Sequence, residues 1–156
     1  MKRLLVSFLA SVACASSATA ISFVKVSEDS TPSVSGQLEL ALVDGGDRIG
    51  FKFSNVGSIQ SRIGSIQFDD GSGLLDTAAA ILSDSGAGVA YKFDRNPPNM
   101  GGGAPGFSSD YAITKSGGAG NMVDNTFDGS EWVQISFGYR NGGSFSTIVD
   151  ALGSSL

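Results

Sequence analysis

The chain contains no histidine in 156 residues and one cysteine, Cys14, close to its start. Without histidine there is no Ser-His-Asp or Cys-His catalytic arrangement, and most zinc sites are excluded with them. One cysteine allows no disulfide within the chain. Basic residues are also scarce: 10 Lys and Arg stand against 15 Asp and Glu, and they form no cluster. An acidic surface repels nucleic acid and anionic membranes, so nucleic-acid binding is not expected. The apolar stretch from Leu4 to about Ala15 is shorter than the ~20 residues a stable membrane span needs. What the chain has in quantity is glycine, 22 residues, with many Ser and Asp, which implies a chain rich in turns. Its apolar fraction of 41% is too high for a disordered chain.

The first residues read as an export signal. Lys2 and Arg3 form a positive start, the apolar stretch follows, and Ala18-Thr19-Ala20 supplies the small-residue exit that a signal peptidase accepts. Cleavage is expected after Ala20. Residues 1–20 are then a signal peptide and 21–156 a single domain, secreted or otherwise outside the cytoplasm, with no stable membrane span after cleavage. The signal removes Lys2 and Arg3 and no acid, so 8 basic residues remain against 15 acidic ones. A minority alternative is a lipoprotein. Ser11-Val12-Ala13-Cys14 loosely matches a lipobox, but the usual leucine three residues before the cysteine is missing.

Alternation of apolar and polar residues predicts half-buried strands at Gln37–Val43, Ile49–Asn55, Gly64–Asp69, Val89–Asp94, Phe107–Ile113 and Glu131–Arg140, with a further candidate at Ser22–Val26. In the first, Leu38, Leu40 and Leu42 face one way and Gln37, Glu39 and Ala41 the other. The links carry turn residues, as in Asp44-Gly45-Gly46-Asp47, Asp70-Gly71-Ser72-Gly73, Asn96-Pro97-Pro98-Asn99 and Asn141-Gly142-Gly143. Met100–Gly106 reads as a glycine-rich loop. Leu74–Leu82 fits either a strand or a short helix. Phe145, Ile148, Val149 and Leu152 recur at helical spacing, with Ser144 placed to cap the start and Gly153 to end the helix. The expected fold is all-β: an antiparallel β-sandwich, jelly-roll-like, with a short C-terminal helix.

Three stretches in order carry a family resemblance. They are Ile63-Gly-Ser-Ile-Gln-Phe-Asp-Asp-Gly71, then Asn96-Pro-Pro-Asn-Met-Gly-Gly-Gly103 leading into Gly106-Phe-Ser-Ser-Asp-Tyr111, and Gly143-Ser-Phe-Ser-Thr-Ile-Val-Asp-Ala-Leu152. Together they resemble small exported bacterial proteins of the PEP-CTERM, exosortase-sorted type. The resemblance implies export and association with the cell surface or extracellular matrix, and few such proteins have a known activity. In that family the helix is followed by another strand, a Pro-Glu-Pro motif, an apolar helix and a basic end. This sequence stops at Leu156 without them. It is therefore expected to be either a released, tail-less form or a domain truncated at its C-terminus.

The chemistry-bearing residues are few. Asp69-Asp70 and Asp44…Asp47 place carboxylates in turns, where they are candidate calcium ligands. The twelve-residue calcium loop is absent, and Asp and Gly favour turns for backbone reasons alone, so the turn reading is preferred and no cofactor is expected. Glu131, Asp110 and Asp69 are the acids a glycosidase would have to use. Nothing marks them, and an enzyme is not expected. Trp132 falls on the polar face of its strand with Gln134 and Ser136. An aromatic beside amides and hydroxyls suits a sugar, whose C–H face covers the ring while its hydroxyls meet the polar groups. The competing reading, which the sequence favours, is that Trp132 folds under a loop or that this face is buried too. The leading expectation is a non-catalytic exported protein. The alternative is a carbohydrate-binding module holding extracellular polysaccharide at Trp132, Gln134 and Ser136.

Overall fold

The computed structural model describes residues 19–22, 35–86, 88–94, 108–125 and 130–154. Most of the signal segment with Cys14, the Asn96–Asn99 turn, the Met100–Gly106 loop and Phe107 lie outside the described residues. The elements are β1 (Thr19–Ser22), β2 (Leu38–Asp44), β3 (Arg48–Asn55), β4 (Arg62–Ile63), β5 (Ser65–Phe68), β6 (Leu75–Asp84), β7 (Tyr91–Asp94), β8 (Tyr111–Lys115), β9 (Val123–Asp124), β10 (Trp132–Tyr139) and α1 (Phe145–Ser154). A five-stranded sheet runs β1-β2-β3-β10-β6, a three-stranded sheet runs β5-β8-β7, and β4 pairs with β9. Every pairing is antiparallel. From β3 the chain passes to β5, back to β6, over to β7 and β8, and returns to β10. This alternation between two facing sheets is that of a β-sandwich.

The period-2 pattern builds the core. Leu40 and Leu42, Ile49, Phe51 and Phe53, and Val133, Ile135 and Phe137 are all buried on one face of the large sheet. Phe68, Tyr111, Ile113 and Tyr91 meet them from the strands of the small sheet, and Ile148 of α1 joins from the end. Phe137 packs edge-on against Phe68, Phe51 and Tyr111, with ring centroids 5.2, 5.8 and 5.5 Å away. These rings tie the two sheets together.

The helix forms where its periodicity predicts. The Ser144 hydroxyl accepts from the Thr147 N–H at 3.3 Å, and the Thr147 hydroxyl accepts from the Ser144 N–H at 2.7 Å. Thr147 thus takes the place Glu holds in the usual reciprocal cap. The helix runs through Gly153 to Ser154, so that glycine does not end it.

Leu74–Leu82 resolves as strand rather than helix. Its mixed pattern has a local cause: Ser136 pairs with Ile81 and Gly138 with Asp76, leaving Thr77–Ala80 opposite Phe137 alone. The Asp76 carboxylate accepts the Ala78 N–H at 3.2 Å inside this bulge. A bulge resets which residues face inward and breaks the regular ladder of an edge strand. A first strand covers Thr19–Ser22; of the expected strand Ser22–Val26, residues 23–26 lie outside the described residues. Gln37 is a further correction. It lies in a short 3₁₀ turn and is buried, not solvent-facing on β2.

Tyr91 links the β4–β9 ribbon to the sandwich: its hydroxyl donates to the Ile63 carbonyl and accepts the Val123 N–H at 3.1 Å. Burial pushes this phenol above its ordinary 10.0; the Val123 N–H pulls it down and Glu131 adds a smaller upward push. The unfolded chain therefore releases the proton first, and stability falls as pH rises beyond about 10. Urea midpoints at pH 8 and in the alkaline range should show this loss. It should be shallower in Tyr91→Phe; an identical slope in that variant would contradict the assignment.

Candidate functional site

The outer face of the five-stranded sheet is set by the residues between the core positions. Across the ladder Trp132 faces Ser54, Gln134 faces Lys52 and Ser136 faces Gly50 on β3. On the other side Gln134 faces Ser83 and Ser136 faces Ile81 of β6. Trp132, Gln134 and Ser136 thus share one face, as their alternation with Val133, Ile135 and Phe137 predicts. Trp132 and Gln134 are half-buried and Ser136 is buried.

Two contacts organise this face. The Lys52 ammonium lies over the Trp132 ring, 4.6 Å from its centroid. The Gln134 amide donates to the Ser136 hydroxyl at 3.0 Å and lies across Gly50, where a Cβ would come within 2.7 Å of its nitrogen. Glycine at 50 is what lets the amide lie down on the sheet, and this also explains why Ser136 is covered. The neighbouring positions Ala41, Gly50, Ser54 and Ser83 are small, and Ile81, opposite Ser136, is an exposed apolar side chain on the same face. The result is a mixed surface that carries the indole, an amide and one exposed isoleucine. Composition and alternation point to Trp132, Gln134 and Ser136. They give no hint of Lys52, whose role comes from its position diagonal to the ring across the ladder.

The acidic candidates sit in two separate turns and are engaged by the backbone. Asp70 accepts the N–H groups of Leu74 and Leu75 at 3.0 and 3.1 Å. Asp69 accepts those of Gly71 and Ser108 at 3.1 and 2.9 Å, and Asp110 that of Asp70 at 2.9 Å. In the β2–β3 hairpin, Asp44 accepts the Gly46 N–H at 2.9 Å and Asp47 pairs with Arg48 at 3.4 Å. Among the described residues, no three His, Cys, Asp or Glu side chains converge on a possible metal position. Glu131 is buried and accepts the Asp124 N–H at 2.8 Å. Each acid thus has a backbone or ion-pair partner, and the Asp69–Ser108 and Asp110–Asp70 bonds tie the β5–β6 turn to the segment before β8. Asp70→Ala should lower stability by about 1–3 kcal/mol, because it leaves backbone donors without an acceptor. Thermal melts should show a drop of several degrees for this variant and no response of the parent chain to added calcium.

A cleft of about 410 Å³ lies between the β5–β6 turn and α1, with Phe51, Phe68, Leu75, Ile148 and Leu152 in its walls and Asp69 and Asp70 at its edge. Its carboxylates are those already accepting loop N–H groups, so it offers little convergent polar chemistry. The Trp132 face carries the stronger recognition chemistry. No helix among the described residues is long and apolar enough to cross a membrane. No family model, no curated protein and no solved structure matches the chain.

Proposed function

We propose that the chain is an exported, non-catalytic domain that works at the cell surface or in the extracellular matrix by holding polysaccharide on the outer face of its large sheet. The observation that carries this reading is the half-buried Trp132 indole beside the Gln134 amide, which is held by the buried Ser136 hydroxyl, on a face with Ser54, Ser83 and the exposed Ile81. An aromatic face takes the C–H face of a sugar, and flanking amides and hydroxyls take its hydroxyl groups. Export is supported by the order of Lys2-Arg3, the apolar stretch and Ala18-Thr19-Ala20, and surface association by the resemblance to PEP-CTERM-type proteins. Cleavage after Ala20 would leave the Ile21–Leu40 and Ser22–Glu39 pairs of β1 in place. The backbone roles of Asp69, Asp110 and Glu131 support a non-catalytic reading.

Trp132 is the only tryptophan in the chain, so its fluorescence reports on this face alone. Titration with soluble polysaccharides should shift its emission, and no reducing sugar should be released. Trp132→Ala should weaken retention on the same polysaccharide by about tenfold or more, as expected for a central aromatic anchor. Undiminished retention of that variant would refute the reading. N-terminal sequencing of protein from the culture medium should begin at Ile21.

A further inference from the structure

Granting the carbohydrate reading of the Trp132 face, we infer that its ligand is an uncharged polysaccharide and that Lys52 is a positioning residue for the indole. The argument begins with the charges on this face. Lys52 is the cation beside Trp132, and its ammonium lies over the ring at 4.6 Å. The cations at the far end of the same face are paired, Arg48 with Asp47 at 3.4 Å and Arg140 with Asp76 at 3.7 Å. Glu39, exposed on β2 opposite Ser54, adds a negative charge near the indole. The whole chain carries −5. A polyuronate approaching this face would meet no free cationic row and would be repelled at longer range. A neutral chain of sugars meets neither obstacle, and amide, hydroxyl and aromatic groups suffice to hold it.

The role of Lys52 follows from geometry. The half-buried indole sits at the first residue of β10, and the Lys52 ammonium is the charged group over its ring. On this inference the ammonium over one ring face favours one pose of the indole, and the sugar stacks on the other face. Such a contact is worth about 0.5–1 kcal/mol on an exposed surface, or ~2–5-fold in affinity if pose is what it supplies. Arginine can stack in the same place, whereas methionine keeps the length but not the charge.

Native gels containing a galactomannan, dextran, hydroxyethylcellulose, alginate or polygalacturonate separate the alternatives. The expected result is retardation by at least one uncharged polymer, insensitive to salt, with none by the two polyuronates. Lys52→Met should weaken that retardation ~2–5-fold and alter tryptophan emission before ligand is added, and Lys52→Arg should restore both. Thermal melts of both variants check that the fold is intact. Retardation by polyuronates that salt relieves would overturn the uncharged class while leaving the carbohydrate reading standing. Parental affinity and emission in Lys52→Met would overturn the positioning role. No retardation by any of the five would remove the carbohydrate reading itself, and this inference with it.

Discussion

Replacing Phe137 with alanine should lower the free energy of unfolding by about 3–5 kcal/mol, the range for truncating a buried phenylalanine. Domains of this size are stable by roughly 5–15 kcal/mol, so about a fifth or more of the total would be lost. The expectation rests on where the ring sits. Phe137 is fully buried on β10, an inner strand of the large sheet, and its three aromatic neighbours come from β3, β5 and β8. Removing it opens a cavity between layers that are each held by their own backbone ladders and cannot close over it. Phe137→Leu leaves a smaller void and should cost distinctly less. Phe68→Ala removes part of the same cluster, as Phe68 also packs on Phe51 and Phe53 at 5.4 and 6.1 Å. The double variant should therefore lose less than the two single losses added together. Urea unfolding followed by tryptophan fluorescence measures each value. A loss below about 1 kcal/mol for Phe137→Ala, typical of non-core positions, would show that this ring does not join the sheets.

Much of the sandwich was legible because burial on one face of a sheet imposes period 2 on the sequence. The runs around Leu40, Phe51 and Ile135 carry that period cleanly, and they became the central strands β2, β3 and β10. Where the physics departs from simple alternation, the reading loses precision. Thr77–Ala80 alternates with nothing because it is a bulge, and the helix continues through Gly153 to Ser154 although glycine favours a stop there. At the candidate site, Trp132, Gln134 and Ser136 could be placed on one face from strand spacing alone. The contact with Lys52 could not, because it depends on which strand lies beside β10 and in what register. The two acidic turns were read as turns for the right reason, although the sequence could not show which N–H groups each carboxylate would accept.

The least legible part of the molecule is its buried amide network, and it supports the second large effect. Gln37, Asn55 and Asn125 lie 18 or more positions apart, and each looks like a surface residue in sequence. Together they hold the loop 56–61. Asn55, fully buried, accepts from the Gln37 amide at 3.0 Å and donates to the Ser61 carbonyl at 2.9 Å. Gln37 accepts the Ile59 N–H at 3.0 Å, and the Asn125 amide donates to the carbonyls of Gly57 and Ile59 at 2.7 Å each. Asn55→Leu keeps the volume but leaves the Ser61 carbonyl without its amide donor, while the Gln37 amide keeps the Ile59 carbonyl and the Ser61 hydroxyl as acceptors. Burying an apolar group against these polar atoms should cost about 1–3 kcal/mol. Gly57 is tied to the same network by space rather than by charge: a Cβ there would lie 2.0 Å from the Gln37 Cβ. Gly57→Ala must therefore push the loop off Gln37 while Asn125 holds it down, and its cost should be of similar size. Because both substitutions break the same set of bonds, the double variant should lose well under the sum of the two. Ser58→Ala and Gln60→Ala, at exposed positions of the same loop, should stay within about 0.5 kcal/mol of the parent. Strict additivity of the Asn55 and Gly57 effects in urea unfolding would mean that the loop is held by independent contacts, and the network as described would be wrong.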